Sequence, residues 1–327
     1  MNTKTSFKQM IVLLHVAVAT CAAASGSAAL AQDWPTKPLT FVVAAGTGSS
    51  VDVFARVLAD RLGAALKQPI IVNPRPGGNG VIASQAVATA KPDGYTLLFA
   101  GNSVLVITPL MSKNLPYNAE KDFAAVAPVV YVPLAIAVRP DNPAKSLKEL
   151  LAASKDKDVL FATPGSASLS RLIGENLNQK TGTRFVNIAY PNAGAAQTDV
   201  IGGQVPVLID GLGGIAPHVK AGRLRLLAVS TATRAKEFPD VPSISEAIPG
   251  FAVPGINSIV APAGTPVAIL DLLNKNINAI TSDRTVAERY ASMGGEAAPG
   301  SRTDLERLLK EQRVLFRQLI EHANIKE

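Results

Sequence analysis

Three stretches of this sequence place small and hydroxyl-bearing residues where a helix is expected to begin: Gly46-Thr47-Gly48-Ser49-Ser50, Arg75-Pro76-Gly77-Gly78-Asn79-Gly80 and Thr163-Pro164-Gly165-Ser166-Ala167-Ser168. A helix start leaves backbone N–H groups without intrahelical acceptors and carries the positive end of the helix dipole, so a junction free of bulky side chains can hold an anion. Gly and Ser also make ordinary turns and caps, and one junction alone would say no more than that. Several junctions opening on one cleft point to anion capture. Charged candidates lie beside them. Asp52 falls in the first turn of the helix after Gly48, where the dipole alone accounts for a carboxylate. Asp210 ends an apolar run of strand character, the position that faces the ligand crevice of an open α/β sheet. Arg171, one turn past Ser168, carries the planar fork that pairs with a carboxylate. The candidate ligand-binding set is therefore Gly46, Thr47, Gly48, Ser49, Ser50, Asp52, Thr163, Gly165, Ser166, Ser168, Arg171 and Asp210.

Other chemistries find little material. After Gly46 and Gly48 a dinucleotide fingerprint needs a third Gly where Val51 stands, and a phosphate-loop Lys is missing. Of the three histidines, His15 lies in the N-terminal segment and His322 in the C-terminal tail, which leaves His218, in Pro217-His218-Val219-Lys220 at an expected helix end, as the one usable base. No Gly-x-Ser-x-Gly elbow accompanies it, so an exported hydrolase using His218 is the weaker alternative. His, Cys and carboxylates do not cluster at ligand spacing, and neither a metal nor a cofactor is expected. The formal charge of +7 is mild for 327 residues, the Lys and Arg are scattered and aromatics are sparse, which argues against nucleic acid and suits an anionic ligand.

The elements that would position these residues alternate between short apolar runs and amphipathic stretches, the pattern of an α/β fold with mostly parallel sheets. Leu39 to Ala45 reads as a strand, followed by a helix whose Val51, Phe54, Leu58 and Leu62 share one face, with Ser49 or Ser50 as its N-cap. Further strands are expected at Pro69 to Val72, Tyr95 to Phe99, Tyr131 to Val138, Val159 to Ala162, Arg184 to Ile188, Val205 to Asp210 and Leu224 to Ser230. The helix after Ser168 buries Leu169, Leu172, Ile173 and Leu177, Thr265-Pro266 reads as a helix start, and the final helix carries a stripe of Leu305, Leu308, Leu309 and Leu315. Two extended apolar segments, Val132 to Ile136 and Phe251 to Val260, read as a pair of crossings between two lobes, and two crossings make a hinge. The lobes expected on this basis are 32–133 plus 256–327, and 134–255.

The N-terminal 31 residues read as a secretory signal: Lys4 and Lys8, an apolar run from Met10 to Ala24, then Ala29-Leu30-Ala31 as a cleavage site. The run is shorter than the roughly 20 residues that span a bilayer. Cleavage near Ala31 removes Cys21, the one cysteine of the chain, so the mature protein is expected to act outside the cytoplasm without a disulfide or a reactive thiol.

Trp34-Pro35-Thr36-Lys37-Pro38, Asn73 through Gly80, Lys91 through Leu98, Leu115-Pro116-Tyr117 with Lys121-Asp122-Phe123, Gly202-Gly203-Gln204-Val205, Lys220 through Arg225, Pro239-Asp240-Val241-Pro242 and Ala261 through Pro266 follow one another in order. Together they resemble the solute receptors of tripartite tricarboxylate transporters, also called Bug receptors, over essentially the whole mature chain. The resemblance implies a periplasmic-binding-protein fold and two lobes closing on a small di- or tricarboxylate or aromatic carboxylate. It also implies transfer of that ligand to inner-membrane transporter subunits, with a signalling partner as the alternative output. The receptor itself is expected to be a monomer that does no chemistry. In such receptors the ligand is held mainly by backbone N–H groups and hydroxyls of the loops that correspond to Gly46 through Asp52 and Thr163 through Ser168. The first loop departs from the usual Pro-Gly-Gly-Ser-Thr-Asp, keeping Asp52. The second has Ser168 for a Thr and Arg171 for a His, so the identity of the acid does not carry over.

Overall fold

Apolar runs of five to ten residues form the strands because they are covered on both faces. In β1 (Leu39–Val43) and β3 (Thr96–Gly101), Phe41, Val43, Leu97 and Phe99 pack toward one helical layer while Val42, Leu98 and Ala100 pack toward the other. The computed structural model describes residues 34–322 apart from 113 and 254, so the expected signal segment and its cleavage site lie outside the described residues. The chain continues through α1 (Ser50–Leu66), β2 (Ile70–Pro74), α2 (Val81–Ala88) and β3, then a wide helical turn at Ser103–Ile107 that runs into α3 (Thr108–Met111). Next come β4 (Phe123–Val132), β5 (Leu134–Val138), α4 (Leu147–Ala153), β6 (Val159–Pro164), α5 (Leu169–Thr181), β7 (Phe185–Tyr190), α6 (Ala193–Ile201), β8 (Val207–Gly211), α7 (Leu212–Lys220) and β9 (Arg225–Val229). The last part holds α8 (Ile244–Ala247), β10 (Gly255–Pro262), α9 (Val267–Thr281), α10 (Arg284–Ser292), β11 (Glu296–Ala297) and α11 (Arg302–His322).

These strands form two sheets, ordered β11-β4-β10-β3-β1-β2 and β7-β6-β8-β5-β9. The expected two-sheet α/β architecture is present, with both sheets mixed rather than mostly parallel. The pairs made by strand–helix–strand units, β1 with β2 and β3 and β6 with β7 and β8, are parallel, as helical crossovers require. The strands that carry the chain between sheets have no such crossover: β10 runs antiparallel to β3 and β4, and β5 antiparallel to β8 and β9.

The strand expected at Tyr131 to Val138 is really two, ending in one sheet at Val132 and starting in the other at Leu134. Pro133, with no N–H to give to a ladder, stands between them. Thr265 is not a helix cap: Pro266 takes that position and the Thr265 hydroxyl donates to the Pro262 carbonyl at 2.7 Å. On α11 the buried stripe is Leu305, Gln312, Phe316 and Ile320, while Leu315 is 38% exposed. The helical turn after β3 had no expectation attached to it.

The two crossings are tied by one residue. Ser230, 1% exposed, donates its N–H to the Leu134 carbonyl at 2.8 Å, and its carbonyl accepts from the Val253 N–H at 3.0 Å. Its hydroxyl accepts from the Leu134 N–H at 3.0 Å and donates to the Val253 carbonyl at 3.1 Å. Outgoing and returning chains are thus held together where they leave the second sheet. Ser230→Ala strands one buried donor and one buried acceptor, and we expect it to cost about 1–3 kcal/mol, read as a fall in melting temperature of several degrees.

Candidate functional site

The loops after β1 and β6 are built alike. In the first, Ser49 caps α1: its Oγ accepts from the Asp52 N–H at 3.3 Å and donates back to the Gly46 carbonyl at 2.7 Å. In the second, Ser168 caps α5: its Oγ accepts from the Arg171 N–H at 3.2 Å and donates back to the Gly165 carbonyl at 3.0 Å. Gly46, Ser49 and Asp52 therefore correspond to Gly165, Ser168 and Arg171. Gly48 at φ +80° and Gly165 at φ +92° hold backbone conformations that a side chain would strain.

The third member of each set differs in charge. Asp52 is 1% exposed, with Oδ2 accepting from the Gly48 N–H at 2.9 Å and from Arg56 Nε at 3.0 Å, so the start of α1 is already neutralised by the protein's own carboxylate. The first turn of α5 holds no acid. Arg171 lies along it, donating from Nη1 to the Ser166 carbonyl at 3.1 Å and facing Glu175 at 3.8 Å, so it braces the loop rather than standing free in solvent. Thr163 donates to Asn187 Oδ1 at 2.7 Å, fixing the end of β6 to β7.

Each loop lies where one sheet's half of the molecule touches the other. Asn79 donates to Ser166 Oγ at 3.3 Å, and a Cβ on Gly165 would sit 2.8 Å from Asn79 Oδ1. The Leu169 N–H, first in α5, donates to Ser103 Oγ at 3.2 Å. On the α1 side, Gly211 approaches Ser50, and a Cβ on Gly213 would stand 2.2 Å from the Met293 carbonyl. These contacts close the crevice between the two sheets. Ser103 and Gly213 lie outside the expected site, and Asn79 belongs to the junction at 75–80 without being in the candidate set. Ser103 stands just past the C-terminal end of β3, where open α/β sheets place ligands, and Asn79 is the one side chain in its glycine run, at φ +52°, so both carried a usable signal.

Asp210 is placed differently from the loops. It lies near the end of β8 with internal partners: Gln197 Nε2 donates to its Oδ2 at 2.9 Å and the Gly211 N–H to its Oδ1 at 2.7 Å. Gln197 Oε1 meets His218 Nε2 at 3.2 Å, so the imidazole is engaged by an amide and not by a serine. Burial pushes the Asp210 carboxyl up against the opposing pull of Gln197 and the Gly211 N–H, while burial, helped by Arg223, pushes the His218 imidazole down. Among the described residues no group of His, Cys and carboxylates is arranged to hold a metal ion.

Two sheets joined by two crossings, with helix-starting loops meeting across the gap, define the class of two-lobed periplasmic binding proteins. Residues 54–325 match the model of the tripartite tricarboxylate transporter family receptor, and the chain belongs to that family. It is 65% identical over 304 residues to a UPF0065 protein of Bordetella bronchiseptica, covering 93% of this chain and 91% of that one. Among solved structures it is similar to R. palustris Rpa4515 with adipate, at 28% identity and a TM-score of 0.87 over 90% of this chain and 99% of that one. It is also similar to MatC (Rpa3494) from Rhodopseudomonas palustris with bound malate, at 25% identity and a TM-score of 0.80 over 88% and 100%.

Two outcomes follow from this geometry. Gly213→Ala drives a methyl into the Met293 carbonyl, so the lobes are held apart and the radius of gyration measured by small-angle scattering exceeds that of the wild type. Asp210 has a raised native pKa, so its native state keeps the proton to higher pH than the unfolded chain and stability is lost as pH rises through that value. Asp210→Asn does not titrate, so its melting temperature should fall less than the wild type's between about pH 4 and about pH 8.

Proposed function

We propose that this protein is an extracytoplasmic receptor that closes its two lobes on a small organic carboxylate and delivers it to inner-membrane subunits of a tripartite transporter, leaving the acid unchanged. The observation that carries this reading is the pair of serine-capped helix starts, one per lobe, built on the same hydrogen-bond pattern and both lying at the lobe contact. The asymmetry between them gives the ligand a direction. Asp52 already occupies the positive end of α1, whereas α5 adds Arg171 to its own dipole, so the carboxylate is assigned to the α5 side, against Ser166, Ser168 and the loop that Arg171 braces. Gly46 through Ser50 close from the other side. Thr163 and Asp210 act at one remove, holding the end of β6 and the first turn of α7.

The adipate and malate in the similar structures are acids of the size expected here. Lobe 1 is assigned to residues 32–133 and 256–327 and lobe 2 to 134–255, in keeping with the membership of the two sheets. A cleaved signal ending near Ala31 places the mature receptor in the periplasm, where we assign it a monomeric state.

Ligand that binds the folded state alone stabilises it by mass action, about 2.7 kcal/mol at a hundredfold excess over Kd. The mature protein is therefore expected to gain roughly 5 °C or more in melting temperature with at least one of malate, adipate, citrate and benzoate, and the acid should be recovered unaltered by NMR. No shift and no calorimetric heat with any of the four would defeat the reading; turnover of the acid would defeat its non-enzymatic part.

A further inference from the structure

We propose that Asn257 is a ligand-contacting residue on the floor of the crevice, donating its side-chain amide to an oxygen of the captured acid; this rests on the receptor reading above. Asn257 lies on β10, the returning strand of the hinge, all eight residues of which are buried. It is 5% exposed, and among the described residues its Nδ2 has no hydrogen-bond partner. A buried amide donor without an acceptor is unfavourable, and apart from Ser258, whose buried hydroxyl also lacks a partner among the described residues, the rest of this strand is apolar. Packing alone does not call for an amide at this position.

Its place in the fold supplies the reason. Asn257 pairs with Gly101, the last residue of β3, and its Oδ1 stands 2.9 Å from where a Gly101 Cβ would be, so the absence of a side chain there makes room for the amide. Two residues further on, Ser103 receives the first N–H of α5 from the opposite lobe. The unpartnered donor thus sits on the hinge, beside the junction to which the ligand carboxylate is assigned. Carboxylate oxygens accept the shorter and stronger hydrogen bonds of charged groups, which suits an amide donor.

The test compares the wild type with Asn257→Leu and Asn257→Asp by calorimetric titration with malate, adipate, citrate and benzoate, and by thermal unfolding without ligand. Asn257→Leu is expected to melt at or above the wild type while its affinity for the acid that the wild type accepts falls about tenfold or more. Asn257→Asp, which sets a second carboxylate against the ligand, should lose more at neutral pH. In nitrogen-15 spectra, the wild-type side-chain amide signal that Asn257→Asp removes should move on titration. Wild-type affinity in Asn257→Leu, or an amide signal unmoved by a ligand that binds, overturns the assignment and leaves the receptor reading standing. If the wild type binds none of the four acids, both fall together.

Discussion

Everything in this molecule that concerns two lobes hangs on the four hydrogen bonds of Ser230. Two strands must leave one sheet and enter the other, and wherever a strand leaves its ladder, backbone donors and acceptors lose their partners in a buried place. Ser230 supplies them to both crossings at once, through its N–H, its carbonyl and its hydroxyl. Pro133 completes the arrangement: it breaks the outgoing ladder by lacking an N–H, and its carbonyl accepts from Leu212 at the start of α7 at 2.8 Å. The hinge is therefore a place of satisfied polar groups rather than of loose chain.

The ends of β1, β3, β6 and β8 meet beside that knot, and Leu212, just past β8, bonds to the Pro133 carbonyl itself. The contacts there are of a different character from those at the hinge. Asn79 to Ser166 and Ser103 to Leu169 are single, part-exposed hydrogen bonds, and Gly213 against Met293 is a backbone approach that the missing side chain permits. Such contacts add little energy beyond what water would offer the same groups, so they can be exchanged for a ligand without unfolding anything. A strong hinge and weak lips are the combination a closing receptor requires.

The duplicated loop also shows how one local grammar can serve two electrostatic purposes. A serine side chain bonded three residues back and three residues on caps the helix in each lobe, yet the third position is Asp52 in one and Arg171 in the other. The first directs its charge internally to Gly48 and Arg56, the second reinforces the dipole of α5. The same serine cap thereby stands beside a carboxylate in one loop and a guanidinium in the other.

Much of this was written in local sequence. The helix after Gly48 with Ser49 as its cap, the helix after Ser168, the strand at β1 and the two apolar crossing segments follow from periodicity, turn residues and capping chemistry, all of which act over a few residues. The mixed sheets did not follow, because strand direction depends on which distant strand is met, and β10 meets β3 and β4 from more than a hundred residues away. Nor did the interior use of Asp210, whose partner Gln197 lies on a neighbouring helix, or the exposure of Leu315 on α11, where a turn of the helix against the core decided between leucines of equal hydrophobicity. By itself the sequence determined the glycine- and hydroxyl-rich helix starts, the α/β alternation and the family pattern, since each is a property of adjacent residues. Only the tertiary structure decided that each loop touches the opposite half of the molecule, that Ser230 ties the crossings and that Asn257 is left with an unpaired donor, because each of these depends on groups brought together by chain closure over distances that local pattern does not encode.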